Sequence, residues 1–238
     1  MNIHLTSYGQ GTPVVFFHGW GFDQQIWMPL IADLSMSYRI FLVDLPGFGF
    51  TPIMDWDAFK AQLLGELPQH FAVVGWSLGG LYAQRLAFEE AKRVSALMSI
   101  ASSPRFIEDP TWPAVSKKVF TQFYDNLSQD IEGTLKDFLS LQLNKNQISL
   151  HLGKIPSQAG LEAGLKVLDE WDLRDQLKNF TNPACFLFGR LDPITPARLM
   201  NTMKMVYPHF NYVLFKRSAH MPFLSHKDLF IDELRRFI

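Results

Sequence analysis

The ten residues 72–81, AVVGWSLGGL, decide the fold. The segment begins with apolar, β-branched residues typical of a buried strand, and it continues into the helix-like run LYAQRLAF. Ser77 lies between the two, flanked by Gly75 and Gly79, where a sharp strand–turn–helix bend leaves no room for a β-carbon. Such a bend raises the hydroxyl of Ser77 above the sheet, where it could act as a nucleophile. The alternative is that Ser77 is merely a turn residue.

Strand-like and helix-like segments alternate along most of the chain. Continuous apolar runs predict strands that are buried on both faces. These runs lie at 13–19, 38–47, 70–77, 94–103, 184–192 and 211–220. Helical spacing of apolar residues predicts helices at 56–67, 81–93, 196–207 and 227–238. The alternation is typical of an α/β protein with a mostly parallel, doubly wound sheet and right-handed crossovers.

One long segment interrupts the alternation. Residues 104–172 contain no strand-like run but have apolar residues at helical spacing. Ordinary connections between strands are much shorter, although a plain crossover is the alternative. We therefore expect a helical cap, residues 104–172, inserted over the carboxyl edge of a core formed by residues 1–103 and 173–238.

The composition excludes several classes of protein. The 22 Lys and Arg nearly balance the 23 Asp and Glu, which argues against partners that are nucleic acids or anionic membranes. The amino terminus lacks a basic stretch followed by an apolar one, and no run approaches the roughly 18 apolar residues of a membrane span. The single Cys185 cannot form a disulfide within the chain and is expected in the core. These features favour a cytoplasmic protein.

A nucleophilic serine needs a base to take its proton and a third group to orient that base. In hydrolases with a serine on such a bend, the acid and then the histidine follow it along the chain, each at the carboxyl end of a strand. Asp192 follows a predicted strand in FLFGRLDPITP, and His220 follows the next one in VLFKRSAHMPF. Both are expected at the carboxyl edge of the sheet, where open α/β sheets bind ligands.

Other residues compete for these roles. Asp44 in LVDLPG also ends a predicted strand, but it precedes Ser77. His18 follows a strand and likewise precedes the serine, while His226 lies where it could cap the last helix. The remaining histidines have no strand-end context and are expected at the surface or in turns: His4, His70, His151 and His209. His220 is therefore preferred as the base and Asp192 as the acid.

A tetrahedral intermediate needs two N–H donors aimed at its oxyanion. One should be the backbone N–H of Leu78, the residue after the nucleophile. The other is predicted to come from the glycine-rich segment HGWGFD at 18–23, as the backbone N–H of Trp20. The two glycines in that segment make the turn that aims the amide.

Five motifs together are more specific than the serine pentapeptide. They are FFHGWG, VDLPGFG, VVGWSLGGL, GRLDPITP and AHMPF. Over its whole length the chain resembles the α/β-hydrolases. More narrowly, it resembles the BioH-type pimeloyl-[acyl-carrier protein] methyl ester carboxylesterases of biotin synthesis. The narrower resemblance rests on the tryptophans of HGWG and GWSLGG, and on IASSPRFIEDPTWP at 100–113, FLSLQ at 138–142 and AHMPFLSH at 219–226.

The resemblance implies a serine esterase with Ser77 as nucleophile and Asp192 and His220 as its partners. It implies no metal or organic cofactor, a monomeric enzyme, and an acyl-carrier protein as a transient partner. It also implies substrate contacts at these positions: Trp20, Ser77, Leu78, Phe138, Leu139, Ser140, Leu141 and Gln142. Phe120, Phe123 and Phe138 are expected either to wall an apolar acyl tunnel or to pack as ordinary core.

The charge of the cap departs from the family pattern, in which basic residues meet the acidic carrier. Residues 104–172 hold seven Lys and Arg against ten Asp and Glu. Docking would then depend on local basic groups: Arg105, Lys117, Lys118 and Lys136.

Two other functions stay open. One is a general short-chain carboxylesterase or a hydrolase of carbon–carbon bonds, because the same triad serves all of them. The other is a catalytically silent small-molecule receptor.

Overall fold

A single seven-stranded sheet forms the centre of the protein, of which a computed structural model describes residues 2–143 and 153–238. The strands are β1 (Leu5–Tyr8), β2 (Thr12–Phe17), β3 (Tyr38–Val43), β4 (Phe71–Trp76), β5 (Val94–Ile100), β6 (Ala184–Gly189) and β7 (Asn211–Phe215). Their order across the sheet is β1-β3-β2-β4-β5-β6-β7. All neighbours pair in parallel except β1, which runs antiparallel to β3. The predicted mostly parallel sheet is confirmed.

Helices cover both faces of the sheet. On one face, α2 (Trp56–Glu66), α3 (Leu78–Glu89) and α8 (Ala197–Val206) pack in the same apolar cluster as Val15 and Phe17 of β2. On the other face, α1 (Met28–Leu34), α9 (Pro222–Ser225) and α10 (Lys227–Phe237) pack in the cluster that holds Val14 and Phe16. Successive side chains of a strand point to opposite faces, so β2 contributes to both clusters. Burial on both faces explains why the strands are continuously apolar.

Three elements near the amino terminus were not predicted: the strand β1, a short 3-10 turn and the helix α1. The strand β1 has the sequence LTSY, is only half-buried and lies at the edge of the sheet. A short 3-10 turn, Gln24–Trp27, leads directly into α1. The capping role expected of His226 is wrong. This residue stands at the amino end of α10 without a capping side-chain bond, and its Nδ1 instead contacts Ser225 Oγ at 2.9 Å.

The inserted segment is helical, as predicted. It contains α4 (Lys117–Gln129), α5 (Ile131–Leu143) and α6 (Gln158–Glu170), and a short helix α7 (Arg174–Lys178) follows it. The segment leaves and rejoins the core at one place, because Leu173 N donates to Pro104 O at 2.8 Å and Arg105 bridges to Asp172. The division at residues 104 and 172 stays a prediction.

Two glycines bring α6 close to the loops of the core. A β-carbon on Gly160 would lie 2.1 Å from Gly47 O, and one on Gly164 would lie 2.7 Å from Cδ1 of Trp20. Because these glycines are four residues apart, they lie on the same face of the helix. At these two positions the backbone of α6 therefore approaches the core loops more closely than a side chain would allow. None of the helices in the described ranges is apolar for long enough to cross a membrane.

Candidate active site

Ser77 occupies the strained bend between β4 and α3. Its φ of +54° is rare for a residue with a side chain, and its ψ is −118°. A β-carbon on Gly75 would lie 2.1 Å from Gly79 O, and one on Gly79 would lie 2.4 Å from the carbonyl oxygens of Phe17 and His18. Both flanking positions therefore require glycine, as the sequence predicted. The bend is held by Ser77 N, which donates to Ile100 O at 2.9 Å.

The structure brings the three predicted triad side chains together. Ser77 Oγ lies 2.9 Å from His220 Nε2, and His220 Nδ1 lies 2.7 Å from Asp192 Oδ2. All three residues are buried. A carboxylate can only accept, so Nδ1 carries the imidazole proton and Nε2 is free to accept the proton of the serine hydroxyl. Trp76 Nε1 also fixes the base by donating to His220 O at 2.8 Å.

The carboxylate of Asp192 is held by the turn that follows it. Its Oδ1 accepts from Ile194 N at 2.8 Å and from Thr195 N at 3.0 Å. Its Oδ2 accepts from the hydroxyl of Thr195 as well as from His220. Thr195 was missed by the sequence reasoning, although a threonine three residues after the acid in DPIT is the available signal. These donors fix which oxygen faces the imidazole.

The rival acid, Asp44, has a different role. It is buried and accepts from Gln24 N at 2.9 Å and from Phe50 N at 3.0 Å. Its Oδ2 also lies 2.7 Å from Nδ1 of His4, whose side chain is 35% exposed, in keeping with the surface position expected of it. The structure therefore makes Asp44 an anchor for two loops and places Asp192 beside His220.

His18 is a fixed neutral residue beneath the HGWG loop. Its Nε2 accepts from Leu45 N at 2.9 Å, so Nδ1 carries the proton and donates to Gly19 O at 2.8 Å. Burial lowers the pKa of His18, and this effect exceeds the opposing influence of Asp44. The imidazole thus ties the loop after β2 to the loop after β3.

Two backbone N–H groups are available where an oxyanion would form. Leu78 is the first residue of α3, so its N–H has no acceptor inside the helix and lies at the positive end of the helix dipole. Trp20 lies in the loop between Gly19 and Gly21, and the latter has a φ of +81°. Within residues 2–143 and 153–238, neither N–H donates to a protein acceptor. The role of Trp20 and Leu78 as an oxyanion hole stays a prediction.

The indole of Trp20 contacts all three cap helices. Its Nε1 donates to Leu161 O of α6 at 2.8 Å. Its ring packs edge-on against Phe123 of α4 and Phe138 of α5, with centroids 5.3 Å and 5.1 Å away. One residue therefore joins the loop after β2 to α4, α5 and α6.

A cavity of about 330 Å³ opens above Ser77 between the core and the cap. Its walls are mainly apolar. They are formed by Trp20, Ser77, Phe106, Val115, Val119, Phe120, Phe123, Asn126, Thr134, Asp137, Phe138, Leu141, Leu165, Leu168, Pro193 and Ile194. The three phenylalanines considered for a tunnel, Phe120, Phe123 and Phe138, all line it. They also pack with the apolar core, so the two expectations for them are compatible.

Only part of the segment 138–142 reaches this cavity. Phe138 and Leu141 line it, whereas Leu139, Ser140 and Gln142 do not. The segment lies in α5, and consecutive residues of a helix point in different directions. Leu139 packs with the apolar cluster on the other face of the sheet, and Ser140 Oγ donates to Lys136 O at 2.9 Å. The cavity-facing set of α5 is Thr134, Asp137, Phe138 and Leu141, at the spacing of one helical face.

The side chains of Leu78 and Cys185 are both buried in the core. The side chain of Leu78 is fully buried in the core and does not line the cavity, so this residue can meet a substrate only through its backbone. Cys185 is buried in β6, and burial raises the pKa of its thiol to about 12. Across the described ranges, no three His, Cys, Asp or Glu side chains are grouped so that they could hold a metal ion.

Comparison with known proteins identifies the family. The sequence profile of the alpha/beta hydrolase family matches residues 14–233. The chain belongs to the α/β-hydrolase family. This α/β-hydrolase is 60% identical, over the full length of both chains, to a Legionella pneumophila (strain Corby) protein named pimeloyl-[acyl-carrier protein] methyl ester esterase. A protein of the same name from Aliivibrio salmonicida is 36% identical and is matched over 96% of its length and 100% of this chain.

Solved structures agree on the fold of this α/β-hydrolase. An esterase from Exiguobacterium antarcticum superposes with a TM-score of 0.84 at 21% identity, covering 99% of this chain and 94% of that one. The enol-lactonase from Burkholderia xenovorans gives 0.82 at 18% identity, covering 99% and 95%. The predicted fold class and family are confirmed.

Proposed function

We propose that this α/β-hydrolase is a serine carboxylesterase that hydrolyses the methyl ester of pimeloyl-[acyl-carrier protein] in biotin synthesis. The observation that carries the esterase reaction is the 2.9 Å contact between Ser77 Oγ and His220 Nε2 beside an apolar cavity. The choice of substrate is supported by the relatives named pimeloyl-[acyl-carrier protein] methyl ester esterase, which are up to 60% identical over the full chain.

Acylation begins when His220 Nε2 takes the proton of the Ser77 hydroxyl as Oγ attacks the carbonyl carbon of the methyl ester. Negative charge then develops on the carbonyl oxygen, and the N–H groups of Trp20 and Leu78 stabilise it. Asp192 stabilises the imidazolium through its bond to Nδ1. The carbon–oxygen bond to methoxide breaks, the imidazolium gives its proton to that oxygen, and methanol leaves. An acyl ester on Ser77 remains.

Deacylation repeats these steps with water. His220 takes a proton from a water molecule, whose oxygen attacks the acyl carbon. The bond from that carbon to Ser77 Oγ breaks, and His220 returns the proton to the serine. The product is a carboxylic acid at the former methyl ester end, which ionises by releasing a proton to solvent, and the far end of the acyl chain is unchanged.

Geometry explains why one ester of the substrate reacts. The cavity is walled by cap and core side chains and is mostly apolar, which suits the methylene chain of a dicarboxylic acyl group. With the methyl ester at Ser77, the thioester lies toward the cap surface, away from the nucleophile. Position alone then protects the thioester.

The alternatives receive less support. A general short-chain esterase and a carbon–carbon bond hydrolase use the same triad, but the relatives with full-length identity bear the methyl ester esterase name. A silent receptor can retain the same triad, but the relatives matched over the full chain are named as esterases, so this alternative is not favoured. The proposal also places the enzyme in the cytoplasm as a monomer, in keeping with the sequence resemblance.

The decisive substrate test compares two esters at increasing salt. Lys118 and Lys136 are exposed on α4 and α5, whereas Lys117 is paired with Asp169. Between about 50 and 300 mM salt we expect kcat/KM on the carrier-bound methyl ester to fall roughly 3- to 10-fold, because salt screens attraction to an acidic carrier. Hydrolysis of neutral p-nitrophenyl butyrate should change by less than about 2-fold over that range.

Matched variants locate the effect. Changing Lys118 and Lys136 to glutamine should remove most of the salt dependence. Lys92 is exposed just before β5 begins, at the edge of the sheet opposite the cap, so Lys92→Gln should leave it unchanged. A parallel decline of both esters would contradict recognition by charge. Cleavage of the thioester as readily as the methyl ester would contradict the orientation in the cavity.

The acyl preference should depend on Phe138. This ring lines the cavity and packs against Trp20 and Phe123, so Phe138→Ala enlarges the cavity beside the indole. We expect the preferred acyl chain of p-nitrophenyl esters to lengthen by at least about two carbons, while the melting temperature falls by only a few degrees because Phe138 is partly exposed. Leu139→Ala, one position along α5 and outside the cavity, is the control. An unchanged chain-length profile in Phe138→Ala would leave this ring with a packing role alone.

A further inference from the structure

Asp137 is the only acidic or basic side chain among the described residues that line the cavity. The others are apolar except for Ser77, Asn126 and Thr134. None of these described lining residues is a cation that could balance the carboxylate. Lys136 precedes Asp137 on α5 but does not line the cavity, because adjacent helix positions point about 100° apart.

Asp137 lies at the outer end of the cavity. Its side chain is exposed, whereas Ser77 and Trp20 are buried at the inner end. Phe138, the next residue, lines the same cavity and packs on Trp20 and Phe123. Asn126 of α4 is exposed and also lines the cavity, so a carboxylate and a neutral amide both border its solvent-exposed part.

We propose that Asp137 is a specificity-determining residue that selects half-esters whose far end is uncharged and repels those that end in a free carboxylate. The inference rests on the proposed function, because it assumes an acyl chain with its methyl ester at Ser77. A thioester or amide at the far end has no net charge and can hydrogen-bond with Asn126 and Thr134. A free carboxylate there faces a like charge with no cation in the described wall to offset it.

This discrimination distinguishes a carrier-linked chain from the corresponding free acid. The two substrates share the same methyl ester and the same methylene chain, so the apolar walls and the triad treat them alike. The two substrates differ only at the far end of the chain, which is a carboxylate in one and uncharged in the other. We expect Asp137 to be the charged side chain nearest that end. Because Asp137 is exposed, solvent and salt weaken the repulsion, and the expected effects are moderate.

The test compares two synthetic substrates of equal chain length. One is the monomethyl ester of heptanedioic acid as the free acid, and the other is its N-ethyl amide. In Asp137→Asn, which preserves the side-chain size, kcat/KM for the acid should rise about 3- to 10-fold, and that for the amide should change by less than about 2-fold. Asp137→Lys should raise the value for the acid further. Glu132→Gln removes the same charge from an exposed residue of α5 outside the cavity wall, and should change neither substrate.

Salt provides a second readout that a merely structural role would not move. Raising the ionic strength should reduce the difference in kcat/KM between the acid and the amide for the unsubstituted enzyme. In Asp137→Asn the same change in ionic strength should leave that difference unchanged. Equal changes for both substrates in Asp137→Asn, or the same selective gain in Glu132→Gln, would overturn the inference. If the amide is hydrolysed and the gap does not respond to Asp137, the inference fails and the proposed function stands. If neither methyl ester is hydrolysed, both fail.

Discussion

Replacing Ser77 with alanine should lower kcat/KM for ester hydrolysis by at least about 10⁴-fold and leave the fold intact. The hydroxyl oxygen of Ser77 is the atom that forms the acyl bond, and its partner is His220 Nε2. Alanine keeps the β-carbon, so the left-handed backbone at this position bears the same kind of strain as before. The melting temperature should therefore stay within a few degrees of the original.

His220→Ala should cause a loss of similar size, and the double variant should be little worse than either single one, because nucleophile and base act as one unit. Ser102→Ala is the matched control. Ser102 follows β5, is also buried, and packs beside Gly80, which lies in the first turn of α3. Its hydroxyl has no hydrogen-bond partner among the described residues. A fluorophosphonate should label Ser77 and no other serine. Turnover by purified Ser77→Ala at the original rate would remove the serine from the mechanism.

Asp192→Asn should lower kcat by about 10³- to 10⁴-fold with little change in KM. If the asparagine oxygen keeps the bonds from Ile194 N and Thr195 N, its amide nitrogen occupies the position of Oδ2 and faces His220. That nitrogen is a donor, so Nδ1 must accept and the imidazole proton moves to Nε2. A protonated Nε2 cannot accept the proton of Ser77, and the geometry survives with the wrong tautomer.

Asp44→Asn separates the two candidate acids. Asp44 supports Gln24, Phe50 and His4 rather than the imidazole of His220, so this variant should lower the melting temperature and leave kcat within a few-fold. Steady-state kinetics on p-nitrophenyl butyrate and thermal unfolding followed by circular dichroism measure both quantities. A large loss of kcat in Asp44→Asn together with a mild effect of Asp192→Asn would reverse the assignment.

The sequence was most informative where one local rule dominated. The strands β4 and β6 are buried at every residue, and their continuous apolar runs predicted them within one to three residues at each end. The order of Ser77, Asp192 and His220 predicted the contact group because parallel strands deliver the residues that follow them to the same edge of the sheet.

Where neighbours decide the outcome, sequence reasoning failed. The edge strand β1 draws its stability from pairing with β3, and LTSY has no burial pattern that reveals this. The motif FLSLQ pointed to five consecutive substrate contacts, but the helix turns Leu139 and Ser140 away and brings Asp137 into the wall instead. The contact between Thr195 and Asp192 is local, at a spacing of three residues, and was missed although DPIT carries it. His226 was expected to cap the last helix, but its side chain contacts the adjacent Ser225 instead.

Trp20 couples the position of the helix α6 to the loop that follows β2. The N–H proposed to hold the oxyanion and the indole anchored to α6 belong to the same residue, and the anchor is a 2.8 Å bond to Leu161 O. A shift of α6 by about 1 Å would break that bond, whereas the contact of His18 Nδ1 with Gly19 O would still hold the loop. Any movement of α6 therefore acts first on the indole of Trp20, the side chain of the same residue whose N–H is proposed to stabilise the oxyanion.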